Sequence, residues 1–229
     1  MNPQANIGFR VNTKIKRPDP DLLNAFSDLP TGNICDANGR MGAMDYHIKP
    51  LNPKWHFVGS AITVRARPVD NLIVYKALSI AQPGDVLVIT NDSSTTASIF
   101  GEHVASIAKA KGLSGMVTDG LVRDVVGMCA VDLPVFCRGV SPNAPFKDGP
   151  GEINFPISCG NIPINPGDIL VGDADGVVVV SLEDALVVVK NLEQIVAKEK
   201  KMAETIATGD LIPAWVDELL KEKGVQILE

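Results

Sequence analysis

Three charged residues hold the chemistry that this sequence is equipped to perform. Arg123 and Asp124 are adjacent, and Glu102 precedes them by 20 intervening residues, in the run GEHVASIAKAKGLSGMVTDGLVRD from Gly101 to Asp124. A neighbouring arginine and aspartate suit a small anionic substrate held through a divalent metal. The guanidinium forks onto carboxylate or enolate oxygens, and the carboxylate is a hard ligand for Mg²⁺ or Mn²⁺. The same dipeptide is also found as an ordinary surface turn whose ion pair contributes almost nothing. The elements around it and the wider pattern have to decide.

Those elements read as a helix, a strand and a tight turn. Val104, Ile107, Ala108 and Lys111 keep helical spacing, and Gly112 supplies a left-handed stop. Met116 to Thr118 reads as a short buried strand, and Asp119-Gly120 is a turn just past its carboxyl end. In an open α/β layer ligands gather at the carboxyl ends of strands, which is where Arg123 and Asp124 are expected.

Upstream, residues 1–18 read as a surface arm and Pro20 to Leu29 as a short helix capped by Asp19. Thr31 to Met44 is rich in glycine and asparagine, with a helix expected to start near Asp36. Phe57 to Ala66 alternates as a strand, and Asp70 is placed to cap a helix carrying Leu72, Ile73, Ala77 and Ile80. Pro83-Gly84-Asp85 turns into the apolar strand VLVIT, and residues 91–101 form a polar loop. Leu133 to Cys137 is a further strand, followed by the Pro/Gly-rich loop 138–151 that bears Lys147. A loop of this length is more often functional than not. Short strands are expected at Ile153 to Ile157 and Ile162 to Ile164. Pro166-Gly167-Asp168 repeats the earlier turn, and a hairpin at Asp175-Gly176 leads into VVVVS. Ser181 and Asp184 form a capping box for a long helix with Ala185, Leu186, Val189, Leu192 and Val196 as its apolar stripe; a last helix spans about 213–223.

The bulk numbers exclude several classes. A net charge of −6, with no basic run longer than the interrupted KEKK at 198–201, speaks against nucleic-acid binding through phosphates. Cys35, Cys129, Cys137 and Cys159 lack C-x-x-C spacing, so neither a zinc site nor a disulfide framework is expected. No signal-length apolar core opens the chain and no run of about 18 apolar residues occurs. The expectation is a soluble cytoplasmic protein without membrane contact. With 5% aromatics against abundant Val, Ile, Leu, Ala and Gly, an α/β protein with aliphatic layers is favoured.

The order PGDVLV, GE-x20-RD, LPVFCRGVSP, FKDGPGE and PGDILVGDADGVVVV resembles the RraA-like family over nearly the whole chain. The resemblance is to its class II aldolase branch, the 4-hydroxy-4-methyl-2-oxoglutarate/4-carboxy-4-hydroxy-2-oxoadipate aldolases. It implies a layered β/β/α core of the swivelling-domain type over residues 31–181. An N-terminal arm and helix at 1–30 and a C-terminal helical extension at 182–229 flank that core. It also implies a homotrimer or homohexamer with the active site between subunits. The RraA regulators, which bind and inhibit a ribonuclease, belong to the same family. They typically have glycine where this chain has Glu102, and they lack the long helix that carries Glu199. A methyltransferase assignment finds no G-x-G fingerprint after any expected strand.

The resemblance further implies site roles. Asp124 binds Mg²⁺ or Mn²⁺ directly, with Glu102 and a neighbouring subunit's Glu199 acting through water. Arg123 holds the keto and carboxylate oxygens of the pyruvyl half of a hydroxy-keto diacid and stabilises the enolate. Backbone amides after Gly101, at Glu102, His103 and Val104, bind the carboxylate, as helix N-termini do. Glu102 also orients a water as base, and Lys147 contacts the distal carboxylate. The aldolases commonly carry small or aliphatic residues after the loop glycine, so His103 is a departure that bears on substrate choice. The implied reaction releases pyruvate in aromatic-acid breakdown. Oxaloacetate decarboxylation would follow as a side activity, because loss of CO₂ leaves the same enolate.

Overall fold

Ten residues, Phe57–Ala66 (β3), form the strand from which the sheet grows in both directions. They belong to a computed structural model that describes residues 7–209, 211–213 and 215–228. Along one edge β3 pairs antiparallel with Ile169–Asp173 (β13) through its first half and with Gly151–Ile153 (β10) through its second. The other edge carries Asp85–Thr90 (β4), Gly115–Thr118 (β6) and Val135–Cys137 (β8), all parallel. Lys49–Pro50 (β2) closes the far edge against β8, Phe9–Val11 (β1) lies parallel to β10, and Gly176–Val180 (β14) folds back on β13. Two small sheets stand apart: Ile157–Cys159 (β11) with Ile162–Ile164 (β12), and the parallel set Ser98–Phe100 (β5), Leu121–Val122 (β7) and Gly139–Val140 (β9).

Strand alternation divides the core into layers. On β4, Leu87 and Ile89 point into a cluster with Val74 and Leu78 of Leu72–Ile80 (α3), Val104 and Ala108 of Glu102–Ala110 (α4), and Met128 of Val125–Val131 (α5). Val86 and Val88 point the other way, onto Phe57, Phe136 and the β11–β12 pair. All six residues of β4 are buried, as a strand covered on both faces requires. A third cluster packs Phe26, beyond Pro20–Asn24 (α1), and Ile34 of Thr31–Ala37 (α2) against β13, β14 and the start of Ala185–Ala207 (α6). Trp215–Glu222 (α7) follows α6. This is a layered α/β protein, as the sequence implies.

The two PGD turns are built alike. The Gln82 amide donates to Asp85 Oδ2 and the Asn165 amide to Asp168 Oδ2, each at 2.7 Å. Gly84 and Gly167 sit at φ +85° and +92°, a region that favours glycine.

Several expectations are corrected. The arm contributes β1, and α1 stops at Asn24 rather than near Leu29. Helix α2 begins at Thr31, not near Asp36, because Asp173 of β13 accepts the Thr31 amide at 2.8 Å and its hydroxyl at 2.7 Å. Asn71, not Asp70, occupies the cap position of α3, although Asp70 does accept the Leu72 amide at 3.0 Å. The Ser181–Asp184 box does not close; Ser181 Oγ accepts the Glu183 amide and α6 starts one residue past Asp184. The buried face of α6 is Ala185, Val188 and Leu192, while Leu186 is 73% exposed, because the helix rolls to lie on α2, where Asn191 donates to the Ala37 carbonyl. On α4, Ala105 rather than Ile107 completes the buried face. The loops at 91–101 and 138–151 contain the short strands β5 and β9.

Candidate active site

The candidate residues hang from the small parallel sheet, not from the end of β6. Strand β5 delivers Gly101 at its carboxyl end, and β7 delivers Arg123 and Asp124 at the same level. The Arg123 amide donates to the Phe100 carbonyl at 3.1 Å, and the Ser141 amide donates to Val122 at 2.9 Å. The loop after β9 then carries Lys147. Three parallel carboxyl ends thus converge, the place where α/β sheets present ligand groups.

Gly101 is required there by close approach. A Cβ on it would lie 2.3 Å from Asp124 Oδ2 and 2.8 Å from Arg123 Cγ. Its φ of −147° is open to any residue, so the demand is steric rather than conformational. Asp124 itself sits in the left-handed region at φ 59°, ψ 42°, one residue before α5, a conformation that aspartate tolerates better than most side chains. Its Oδ2 is 3.4 Å from both Arg123 Nε and the Glu102 amide. Those contacts are long, and both side chains are about 40% exposed, at 39% and 42%. The pair costs little to open to a ligand.

Arg123, Asp124, Gly101, His103, Val104 and Lys147 line one cavity of about 270 Å³. Lys147 Nζ lies 5.9 Å from the Tyr75 ring centroid, at the outer reach of a cation–π contact. A larger hollow of about 570 Å³ beside α2 and α6 has acidic lining from Asp168 and Asp184 and no arginine or lysine. The smaller cavity is therefore the better fit for an anion.

Not every expected residue is used as anticipated. The Val104 amide already donates to the Gly101 carbonyl at 3.1 Å, which leaves the amides of Glu102 and His103 at the mouth of α4. The Glu102 side chain is not part of the cavity wall; a Cβ on Gly127 of α5 would collide with its carboxylate. Glu199, on α6, accepts a hydrogen bond from Asn33 Nδ2 at 2.6 Å and does not line the cavity of its own chain. Among the described residues no three His, Cys, Asp or Glu side chains gather into a metal cage. One half-exposed carboxylate with a free oxygen nevertheless fits Mg²⁺ or Mn²⁺, which retain waters and take substrate oxygens. It does not fit a structural zinc site.

Asn71 of the site escaped sequence reasoning, and so did the buried state of Asp119, which does not line the cavity. Asn71 lines the cavity, is 4% exposed, donates through Nδ2 to the Ile99 carbonyl at 2.9 Å, and has no partner for its Oδ1. Asp119 is buried in the turn before β7, where it accepts from Thr90 Oγ1 at 2.8 Å, the Asn91 amide at 3.1 Å and Ser93 Oγ at 3.2 Å. Burial lifts its carboxyl above the ordinary range, against the pull of those donors.

Residues 31–179 match the model of the RraA-like family, described as Aldolase/RraA. The chain belongs to the RraA-like family. A relative in Halalkalibacterium halodurans bearing the name "Putative 4-hydroxy-4-methyl-2-oxoglutarate aldolase" is 46% identical over 160 residues, spanning 70% of this chain and 76% of that protein. Among solved structures, an uncharacterized protein of Pseudomonas syringae pv. tomato aligns with a TM-score of 0.74 at 26% identity, covering 85% of this chain and 96% of the other. The RNA-processing inhibitor RraA from Thermus thermophilis aligns with a TM-score of 0.62 at 27% identity, covering 67% and 93%. The RraA-like fold therefore spans proteins named for catalysis and for regulation. No helix among the described residues is long and apolar enough to cross a membrane.

Proposed function

We propose that this RraA-like protein is a divalent-metal-dependent class II pyruvate aldolase. Its substrates are hydroxy-keto diacids such as 4-hydroxy-4-methyl-2-oxoglutarate and 4-carboxy-4-hydroxy-2-oxoadipate, and it decarboxylates oxaloacetate as a side reaction. The observation that carries this reading is the grouping of Arg123, Asp124 and Lys147 around one cavity, with a cation for each end of a diacid and a carboxylate held only by long contacts. The name given to the Halalkalibacterium halodurans relative supports the same class.

Asp124 is the residue that would hold Mg²⁺ or Mn²⁺, and the ion would supply Lewis acidity toward the keto oxygen. Arg123 binds the carboxylate and keto oxygens of the pyruvyl half and stabilises charge as it develops on the enolate. The amide of His103, and that of Glu102, which Asp124 Oδ2 holds only at 3.4 Å, receive a carboxylate oxygen at the positive end of α4. Asn71, tied through Nδ2 to the Ile99 carbonyl, forms part of the cavity wall. Lys147 holds the distal carboxylate, and His103 lies where the second half of the substrate is accommodated. Glu102 acts through water, with Glu199 arriving from the neighbouring subunit of a homotrimer or homohexamer. The likeness to the Thermus inhibitor supports a second reading, a regulator that binds a ribonuclease.

One assay separates them. Pyruvate release from 4-hydroxy-4-methyl-2-oxoglutarate and from oxaloacetate is expected with Mg²⁺ or Mn²⁺ and is expected to vanish with EDTA. Absence of turnover with every divalent metal would transfer the case to the regulator.

A further inference from the structure

The loop that carries Lys147 has little to hold it by packing. Residues 142–144 and 146–148 are exposed, and even Phe146 is 67% exposed. Asn143 ties the start of the loop to β5, its carbonyl accepting from the Ser98 amide at 3.0 Å and from Ser98 Oγ at 2.6 Å, and the segment Val69–Asn71, just ahead of α3, grips the part around Lys147. Phe146 donates to the Val69 carbonyl at 2.8 Å, and Asn71 donates to the Phe146 carbonyl at 3.0 Å. Asp70, 3% exposed, completes the grip: its Oδ2 accepts the Asp148 amide at 2.5 Å while its Oδ1 accepts the Leu72 amide at 3.0 Å. Val69 stands at φ +64°, in the left-handed region where a β-branched residue is strained. Strain of this kind persists only where the surroundings over-determine it, and it concentrates at functional sites.

We infer that Asp70 is a positioning residue: its carboxylate clamps the 146–148 loop to the start of α3 and thereby fixes Lys147 at the cavity. A charged acceptor makes the clamp stronger than a neutral one, and burial keeps water from competing for it. The two oxygens divide the labour, one anchoring the helix and the other the loop. The consequence for the substrate rests on the aldolase reading, since it is the distal carboxylate that Lys147 would hold.

The test uses Asp70→Asn in the full-length protein. Whichever way its amide is turned, one NH₂ faces a backbone N–H, so one of the two anchors fails. Asp148→Pro removes the same hydrogen bond from the exposed loop side and keeps the experiment decisive should the first variant misfold. Hydrogen exchange over residues 144–149 is expected to accelerate by about tenfold or more, as loss of a charge-assisted hydrogen bond implies. Strands β4 and β6 keep their protection. With oxaloacetate, KM is expected to rise about tenfold while kcat changes by less than about twofold, and adding Asp70→Asn to Lys147→Ala is expected to add nothing further. Unchanged loop exchange in both variants would overturn the clamp. KM effects that multiply in the double variant would show that Asp70 does not act through Lys147. A wild-type protein that turns over no substrate would defeat the aldolase reading alone, and loop exchange would still decide the clamp.

Discussion

Among the arginine–aspartate pairs of the described residues, Arg17–Asp85 and Arg123–Asp124 are of opposite character. Arg17 and Asp85 meet through two parallel hydrogen bonds, 2.8 and 2.9 Å, with the Asp85 side chain 1% exposed and the Gln82 amide as a third donor at 2.7 Å. Arg123 and Asp124 meet once, at 3.4 Å, with both side chains about 40% exposed at 39% and 42%. In the first pair both carboxylate oxygens of Asp85 are bonded, which ties residue 17 to a sheet corner. The second is left with spare acceptor and donor capacity beside a cavity. A saturated ion pair holds a fold together, whereas an unsaturated one is available to a ligand. Residue identity is the same in both; the number and length of the remaining bonds make the difference.

Removing the saturated carboxylate has the largest expected effect. Asp85→Ala leaves Arg17 unpaired and the Gln82 amide without its acceptor, and is expected to cost about 2–4 kcal/mol, toward the lower end of buried-pair losses because Arg17 is partly exposed. For a chain of this size that lowers the melting temperature by roughly 5–15 °C, with turnover per folded molecule retained. Thermal melts alongside active-site titration check it. Gly101→Ala is the converse. The new Cβ pushes on Asp124 Oδ2 and Arg123 Cγ, both at the solvent-facing pair, so turnover is expected to fall by about tenfold or more while stability changes by less than about 1 kcal/mol. A large melting shift with intact activity would reverse the roles of the two regions.

The smallest effect concerns Asp119, which is buried yet donor-rich. Its carboxyl is raised, so the folded protein binds that proton more tightly than the unfolded chain does. The stabilising contribution of the protonated form is complete below the unfolded value near 4 and is lost as pH rises through the folded value. Asp119→Asn is expected to remove that loss. Denaturant unfolding between about pH 4 and 7 should then fall less steeply with pH in the variant than in wild type.

Much of the frame was legible because its signals are local. The alternation of Phe57 to Ala66 marks β3 end to end, and VLVIT is a strand buried on both faces. The PGD repeat marks two corners whose carboxylates cap their own turns. The start of helix α2 is not legible locally, because its first turn is fixed by Asp173, 142 residues away. The strands that present the site, β5, β7 and β9, are two or three residues long and have no period to read. Arg123, Asp124 and Lys147 stood out by charge in unusual settings. Asn71 did not, because the pattern puts the cap of α3 at Asp70 and gives its neighbour no role; the Asn71 side chain bonds across to Ile99. Glu102 was visible as a motif residue, but the turn of its side chain toward Gly127 depends on packing between α4 and α5.

The most direct test of the functional pair is the rate of pyruvate release from oxaloacetate by Asp124→Asn at saturating Mg²⁺. The substitution preserves shape while removing the charge that would hold the metal. The expected result is a loss of about 10²-fold or more with an unchanged melting temperature, since the native side chain makes only long, half-exposed contacts. Near wild-type turnover by that variant would contradict it and leave Arg123-Asp124 an ordinary surface pair.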